Sequence, residues 1–215
     1  MWQTIHAEIC AGAAYLCPMA QARGATSVEL CSSLEVGGIT PSYGEIYAAR
    51  KAVDNIALHV LIRPRAGDFF FSKFEMEAML ADIDACQKLG VDGVVIGCLT
   101  KDGDVDKIKL SYLVEAAQGL AITFNRAIDY ARDPLQALED VIEGGCGRIL
   151  TSGGRKTAIE GAPLILRFIE QSGSRAVIMA GGGIRPDNIL ETVEQAGAIC
   201  IHTSCMEVLD VFTRG

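Results

Sequence analysis

Two short segments carry the densest chemistry in the chain. His6-Ala7-Glu8-Ile9-Cys10 and Ser27-Val28-Glu29-Leu30-Cys31 both end in a glutamate, an apolar residue and a cysteine. In an extended strand successive side chains point to opposite faces, so the glutamate and cysteine of each segment share one face. If Ile9 and Leu30 pack beneath helices, Glu8, Cys10, Glu29 and Cys31 all point toward a common interior. Neighbouring strands lie about 4.8 Å apart, which sets the two sulfurs at one level. Paired soft thiolates suit Cu(I) and serve Mg²⁺ or Ca²⁺ poorly. The plainer alternative is two core cysteines, since free Cys is among the most buried residue types. Glu8 and Glu29 held side by side cannot both ionise cheaply, so one carboxyl should rise in pKa, as a general acid or base requires. Their alternative role is to answer inward arginines as a salt-bridged pair.

Other candidates extend this interior. In the stretch Ala57–Arg63 the same alternation turns His59, Leu61 and Arg63 inward, with Pro64 and Arg65 at the rim. An enclosed arginine needs a partner, and Glu8, Glu29 or an anionic ligand would serve. Guanidinium is the fork that matches carboxylate and phosphate. Asn125 and Arg126 close the segment Thr123-Phe124-Asn125-Arg126, and Cys200, His202 and Ser204 share a face of the last apolar run. His202 lies nearer the rim than His6 or His59, as a candidate ligand or proton carrier. Ser152-Gly153-Gly154 and Gly181-Gly182-Gly183 follow two further runs, where glycine lets backbone N–H groups face an anion. No run ends in lysine, since Lys101 and Lys156 lie in loops, which argues against a Schiff-base aldolase. Neither a local Ser/His/Asp motif nor an H-E-x-x-H helix occurs.

The elements that must position these groups are legible as an alternation. β-Branched runs at Ile5–Cys10, Ser27–Cys31, Ala57–Arg63, Gly93–Cys98, Ala121–Arg126, Arg148–Ser152, Arg175–Ala180 and Ala198–Thr203 alternate with apolar residues at helical spacing, such as Phe74, Met76, Met79, Leu80 and Ile83. This predicts parallel strands joined by right-handed crossovers, and eight of them predict an α/β fold of the (β/α)₈ TIM-barrel type. One domain spans residues 1–215, with a short or missing final helix, because only Cys205–Gly215 follow the last run. Ser42–Glu45, Ser72–Glu75 and Asp133–Gln136 have the spacing of capping boxes, and Pro134 suits a first helical turn. Gly24, Gly90, Gly145 and Gly197 each sit where a helix should end in a left-handed residue. They follow alternate helices, which suggests a barrel repeated in quarters.

Composition sets the outer bounds. Half of the 215 residues are apolar and mean hydropathy is +0.28, which excludes a disordered chain. No segment reaches the roughly 18 apolar residues of a membrane helix. The first arginine is Arg23, so the start lacks the basic region of a secretory signal. A net charge of −8 without Lys/Arg clusters disfavours nucleic acid and anionic membranes as partners. Eight cysteines without a C-x-x-C pair argue against a zinc ribbon or redox motif and point to the reducing cytosol.

At several of these residues the sequence resembles the CutC family of copper-homeostasis proteins. The segments are Val28–Gly44 (VELCSSLEVGGITPSYG), Leu61–Ser72 (LIRPRAGDFFFS), Thr123–Ala127 (TFNRA), Ile149–Gly154 (ILTSGG), Met179–Ile184 (MAGGGI) and His202-Thr203-Ser204. The resemblance implies a (β/α)₈ barrel, a cytosolic homo-oligomer and a role in copper handling that involves Cu(I). It places the family's inward cysteines on Cys10 and Cys31 and its arginines on Arg63, Arg65 and Arg126. One position departs: Asn125 stands where the family often has histidine in T-F-H-R-A. Asparagine neither titrates nor binds metal at neutral pH, which weakens any mechanism needing a base there.

Two functions from different classes follow. The first is a Cu(I)-binding protein with Cys10 and Cys31 as metal ligands and Glu8 and Glu29 beside them. The second is a barrel enzyme acting on a small phosphorylated or carboxylated anion. There Arg63, Arg65, Asn125, Arg126, Ser152, Gly181, Gly182 and Gly183 would bind the ligand, and Glu8, Glu29 and His202 would move protons. A scaffold with a vestigial pocket is the bland third.

Overall fold

The computed structural model describes residues 5–213. Each predicted run contributes a strand: β1 (His6–Ala11), β2 (Ser27–Leu30), β3 (Ala57–Leu61), β4 (Gly93–Ile96), β5 (Ala121–Phe124), β6 (Arg148–Thr151), β7 (Val177–Gly181) and β8 (Cys200–Thr203). All pair in parallel with their sequence neighbours, and β8 returns to β1, so the sheet closes into a barrel. The helices between and after them are α1 (Leu16–Ala22), α2 (Tyr43–Ala52), α3 (Lys73–Leu89), α4 (Lys107–Ala116), α5 (Pro134–Glu143), α6 (Ala162–Ser172), α7 (Ile189–Ala196) and α8 (Leu209–Thr213). The last spans five described residues.

Most strands end earlier than their apolar runs. Cys31, Arg63, Cys98, Asn125, Arg126 and Ser152 lie past the last strand residue. At the mouth the strands diverge into loops, and isolated amide bonds carry the ladder onward, from Cys31 N–H to the Ala11 carbonyl at 2.9 Å and from Asn125 N–H to that of Ile96 at 2.7 Å. β7 and β8 begin late because Arg175 belongs to a turn, its amide bonded to the Ser172 carbonyl at 3.0 Å, and Ile199 still precedes the ladder.

Capping chemistry is realised unevenly. Ser72 and Glu75 form a full box on α3, with Ser72 Oγ accepting from the Glu75 amide at 3.3 Å and the Glu75 carboxylate accepting from the Ser72 amide at 2.6 Å. At α2, Ser42 accepts from the Glu45 amide, but the Glu45 carboxylate turns away to the Ala14 amide at 2.5 Å. That half-box ties α2 to the β1–α1 loop. Asp133 caps α5 alone, since the Gln136 side chain reaches Asp140. Gly24, Gly90, Gly145 and Gly197 are left-handed as expected. Gly119 and Gly173 after α4 and α6 are left-handed too, so the backbone shows no repeat in quarters.

The alternation of strand residues separates two interiors. Ile9, Leu30, Leu58, Val60, Phe124 and Ile201 pack outward beneath the helices. Inside the barrel, Cys31, Leu61 and Val95 form a small apolar layer with Cys10 against it. Much of the remaining interior is polar: Glu8, Glu29, His59 and His202 are each no more than 8 % exposed. Gly93 on β4 makes this filling fit. A Cβ there would come within 2.5 Å of the His59 ring and 2.7 Å of the Ala121 carbonyl. Among the described residues no helix is long and apolar enough to cross a membrane.

Candidate functional site

The floor of the barrel mouth is organised around Glu8. Strand register sets Glu8 opposite Ser27 on one side and His202 on the other. Its Oε2 accepts from Ser27 Oγ at 2.8 Å and Arg148 Nη2 at 2.7 Å and lies 2.8 Å from His59 Nδ1, while Oε1 lies 3.0 Å from His202 Nδ1. The His59 ring in turn meets Arg148, with Nε2 3.0 Å from Nη1. Burial alone would push the Glu8 carboxyl up; the hydrogen bonds from His202 and His59 and the charge of Arg148 outweigh it and hold it well below the usual range. Burial likewise opposes charge on His202, but Glu29 and Glu8 outweigh it and raise that imidazole above its ordinary value. With Nδ1 held by the Glu8 carboxylate, the His202 ring is fixed in orientation, as a carboxylate partner fixes a ligating histidine.

Above this floor sit the thiols. Cys10 Sγ lies 3.6 Å from Cys31 Sγ and donates to Glu29 Oε1 at 3.6 Å. Glu29 Oε2 is buried and has no hydrogen-bond partner among the described residues. Burial pushes the Glu29 carboxyl up; the charge of His202 opposes this without cancelling it. The two glutamates therefore shift in opposite directions. The Cys10 thiol is held well above its ordinary range by its contact with Cys31, by burial and by the charge of Glu29. Ligand atoms of Cys10, Glu29 and Cys31 lie within 4.8 Å of one another, as do those of Glu8, Glu29 and His202. Taking roughly 2.3 Å per metal–sulfur bond, as for zinc, sulfurs 3.6 Å apart subtend about 100° at an ion, a bent pair that a third donor such as Glu29 completes.

A cavity of about 210 Å³ opens over these groups, with Cys10, Glu29, His202, Asn125, Arg126 and Gly182 among its lining. Cys31, 1 % exposed, lies behind it. The arginine expectations need correction. Arg63 lines the cavity, yet its Nη groups donate to the carbonyls of Val36, Gly38 and Gly67, and its guanidinium stacks over Phe69 at 4.6 Å. It knits the loops after β2 and β3, and only its buried Nε lacks a partner among the described residues. Arg65 is outside the cavity, bound to Asp68 at 2.8 Å and to Glu75, because the start of α3 concentrates acceptors there. The arginine that answers Glu8 is Arg148, at the start of β6.

The remaining candidates divide by position. Asn125 lines the cavity and caps the 3₁₀ turn Arg126–Tyr130, its Oδ1 accepting from the Ala127 amide at 2.9 Å. Arg126 lines the cavity, anchored by Asp129 and Ser152. Ser152, fully buried, works through those bonds and not as a lining group. Gly182 and Gly183 face the cavity; Gly181 ends β7 behind them. Sequence reading missed Arg148, Asp129, Phe69 and Arg185. Arg148 shares strand parity with Leu150, a signal that was available; Asp129 lay only in the three-residue spacing to Arg126.

Fold and site together define a (β/α)₈ barrel with a thiol and carboxylate cluster enclosed at its mouth. The CutC family model matches residues 5–207, and the chain belongs to that family. It is 51 % identical over 197 residues to a CutC family protein of Chromobacterium violaceum, covering 92 % of this chain and 79 % of that one. A CutC family protein of Parabacteroides distasonis is 48 % identical over 202 residues, covering 94 % and 83 %. The crystal structure assigned to copper homeostasis protein CutC of Streptococcus agalactiae superposes with a TM-score of 0.89 at 32 % identity, over 94 % of this chain and all of the other.

Proposed function

We propose that the protein binds Cu(I) as cargo at the barrel mouth, with Cys10 and Cys31 as its ligands. The observation that carries this reading is the 3.6 Å approach of the two sulfurs beside Leu61 and Val95. Soft, polarisable sulfur in apolar surroundings favours a soft monovalent ion over hard cations. A thiol held high in pKa keeps its proton until a metal displaces it, and metal binding then releases that proton. Glu29, already accepting from Cys10, is placed to take it. The description of the Streptococcus agalactiae relative as a copper homeostasis protein supports the choice of metal.

Anaerobic competition titration with a chromogenic Cu(I) chelator tests this on wild type, Cys10→Ala and Cys31→Ala. Each substitution should weaken binding at least tenfold; equal affinity in all three overturns the reading. The same proposal places the protein in the reducing cytosol, where the free thiols this site needs persist, and cell fractionation checks it. It also has the chain self-associating.

A further inference from the structure

The cavity rim holds a second set of donors that the thiol site does not use. Arg126 is fixed from one side, with Nε on Asp129 at 2.8 Å and Nη2 on Ser152 Oγ at 2.6 Å and the Arg155 carbonyl at 3.3 Å. Its Nη1 meets no acceptor among the described residues and lies against Gly182, where a Cβ would come within 3.4 Å of it. Gly182 and Gly183 follow one another with φ of 108° and 68°, a backbone that side chains resist. Their carbonyls are used, by the Ala158 amide and by Asn188 Nδ2, but neither glycine amide donates to an acceptor among the described residues. Successive free amides in such a turn form a concavity that attracts anions. Arg185, exposed, donates to the adjacent Ile184 carbonyl and has no carboxylate within ion-pair distance among the described residues. Below them the same cavity ends on Glu29, 4 % exposed, whose Oε2 is without a partner.

We propose that this rim binds the phosphate of a small phosphate monoester, through Arg126 Nη1, Arg185 and the amides of Gly182 and Gly183, with the ester's polar body reaching down toward Glu29. The donors come from the loops after β5 and β7 and line one cavity, and their number suits a group with three terminal oxygens better than a carboxylate with two. Loops after the seventh and eighth strands are where barrels of this type commonly seat phosphate. The body needs hydroxyl groups that can donate, because an apolar one would leave the Glu29 oxygen buried and unsatisfied. This goes beyond copper binding, and its phosphate donors are different residues; only Glu29 borders both sites.

The test is calorimetric titration of copper-free protein with inorganic phosphate and with glycerol 3-phosphate, at constant ionic strength. Both should bind saturably, the ester more tightly. Arg185→Ala, a substitution at an exposed position that the fold tolerates, should weaken both about tenfold, the loss expected for a charged hydrogen bond. No saturable binding of either probe, phosphate binding as tightly as its ester, or Arg185→Ala matching wild type would each overturn the proposal. Since no copper is present, failure here leaves the Cu(I) reading standing, and failure of the Cu(I) titration leaves this one standing.

Discussion

Glu8 shows how one buried carboxylate takes its character from its neighbours. Four side chains converge on it, and removing its charge leaves Arg148 and two histidines enclosed without their anion. Breaking a buried pair from one side costs about 3–5 kcal/mol, mostly the penalty of the charge left behind. Glu8→Gln should therefore lower unfolding free energy by roughly that amount in urea titration at neutral pH. The sign with pH follows from its lowered pKa: the stabilisation is present above the ordinary 4.5 and is lost as pH falls toward the folded-state value. The gap between Glu8→Gln and wild type should accordingly narrow in acid; a gap that stays constant contradicts the assignment. Glu29 lies next to it in space yet shifts the opposite way, because burial outweighs the charge of His202 and no arginine or histidine bonds it among the described residues.

At the scale of elements, the loop after β3 and the start of α3 act as one unit. Arg65 bonds Asp68, the Phe70 carbonyl and Glu75, so the rim arginine is a brace for the loop that carries Phe69 to the cavity. Ser72→Ala should cost about 1 kcal/mol, the usual worth of a helix N-cap. The Ser72 amide, then its hydroxyl and Arg65, hold the Glu75 carboxyl down at about 2. Its contribution is thus complete above the ordinary 4.5 and fades as pH falls toward 2. Thermal melts of Glu75→Gln should converge with those of wild type over that interval; parallel curves would refute the coupling. Asn125 is likewise an element-scale residue. It caps a 3₁₀ turn beside Gly97, where a Cβ would sit 2.1 Å from Oδ1, so asparagine here is tied to turn geometry and not to titration.

For the whole molecule, closure of the barrel is what creates the site. His202 follows Glu8 by 194 residues and Arg148 follows it by 140, and only the return of β8 to β1 brings them together. Closure also leaves large apolar side chains outside. Phe74 is 82 % exposed, Ile108 69 % and Tyr112 56 %, on adjoining helices α3 and α4, with Lys109 Nζ 4.8 Å over the nearby Phe70 ring. A patch of this kind is costly in water and suits contact with another copy. Sedimentation velocity should detect a species larger than the 22.9 kDa chain, shifted toward monomer by Phe74→Asp combined with Ile108→Asp. A wild-type monomer at all concentrations would end that reading.

Local pattern by itself determined the alternation of strands and helices, the parallel barrel, and the shared interior face of Glu8, Cys10, Glu29 and Cys31. These follow from the two-residue period of a strand, which a few neighbouring residues specify. Strand ends were less legible, because apolar runs continue into loops where the ladder has already opened. The pairing of charges was decided only in three dimensions. Arg63 and Arg65 looked available in the sequence, yet nearby carbonyls and carboxylates consume them, while Arg148 crosses the barrel to Glu8 and Arg126 is turned toward Gly182 by Asp129. Which donor meets which acceptor depends on the register of closure and the path of each loop. Those are properties of the closed ring, and no stretch of chain contains them alone.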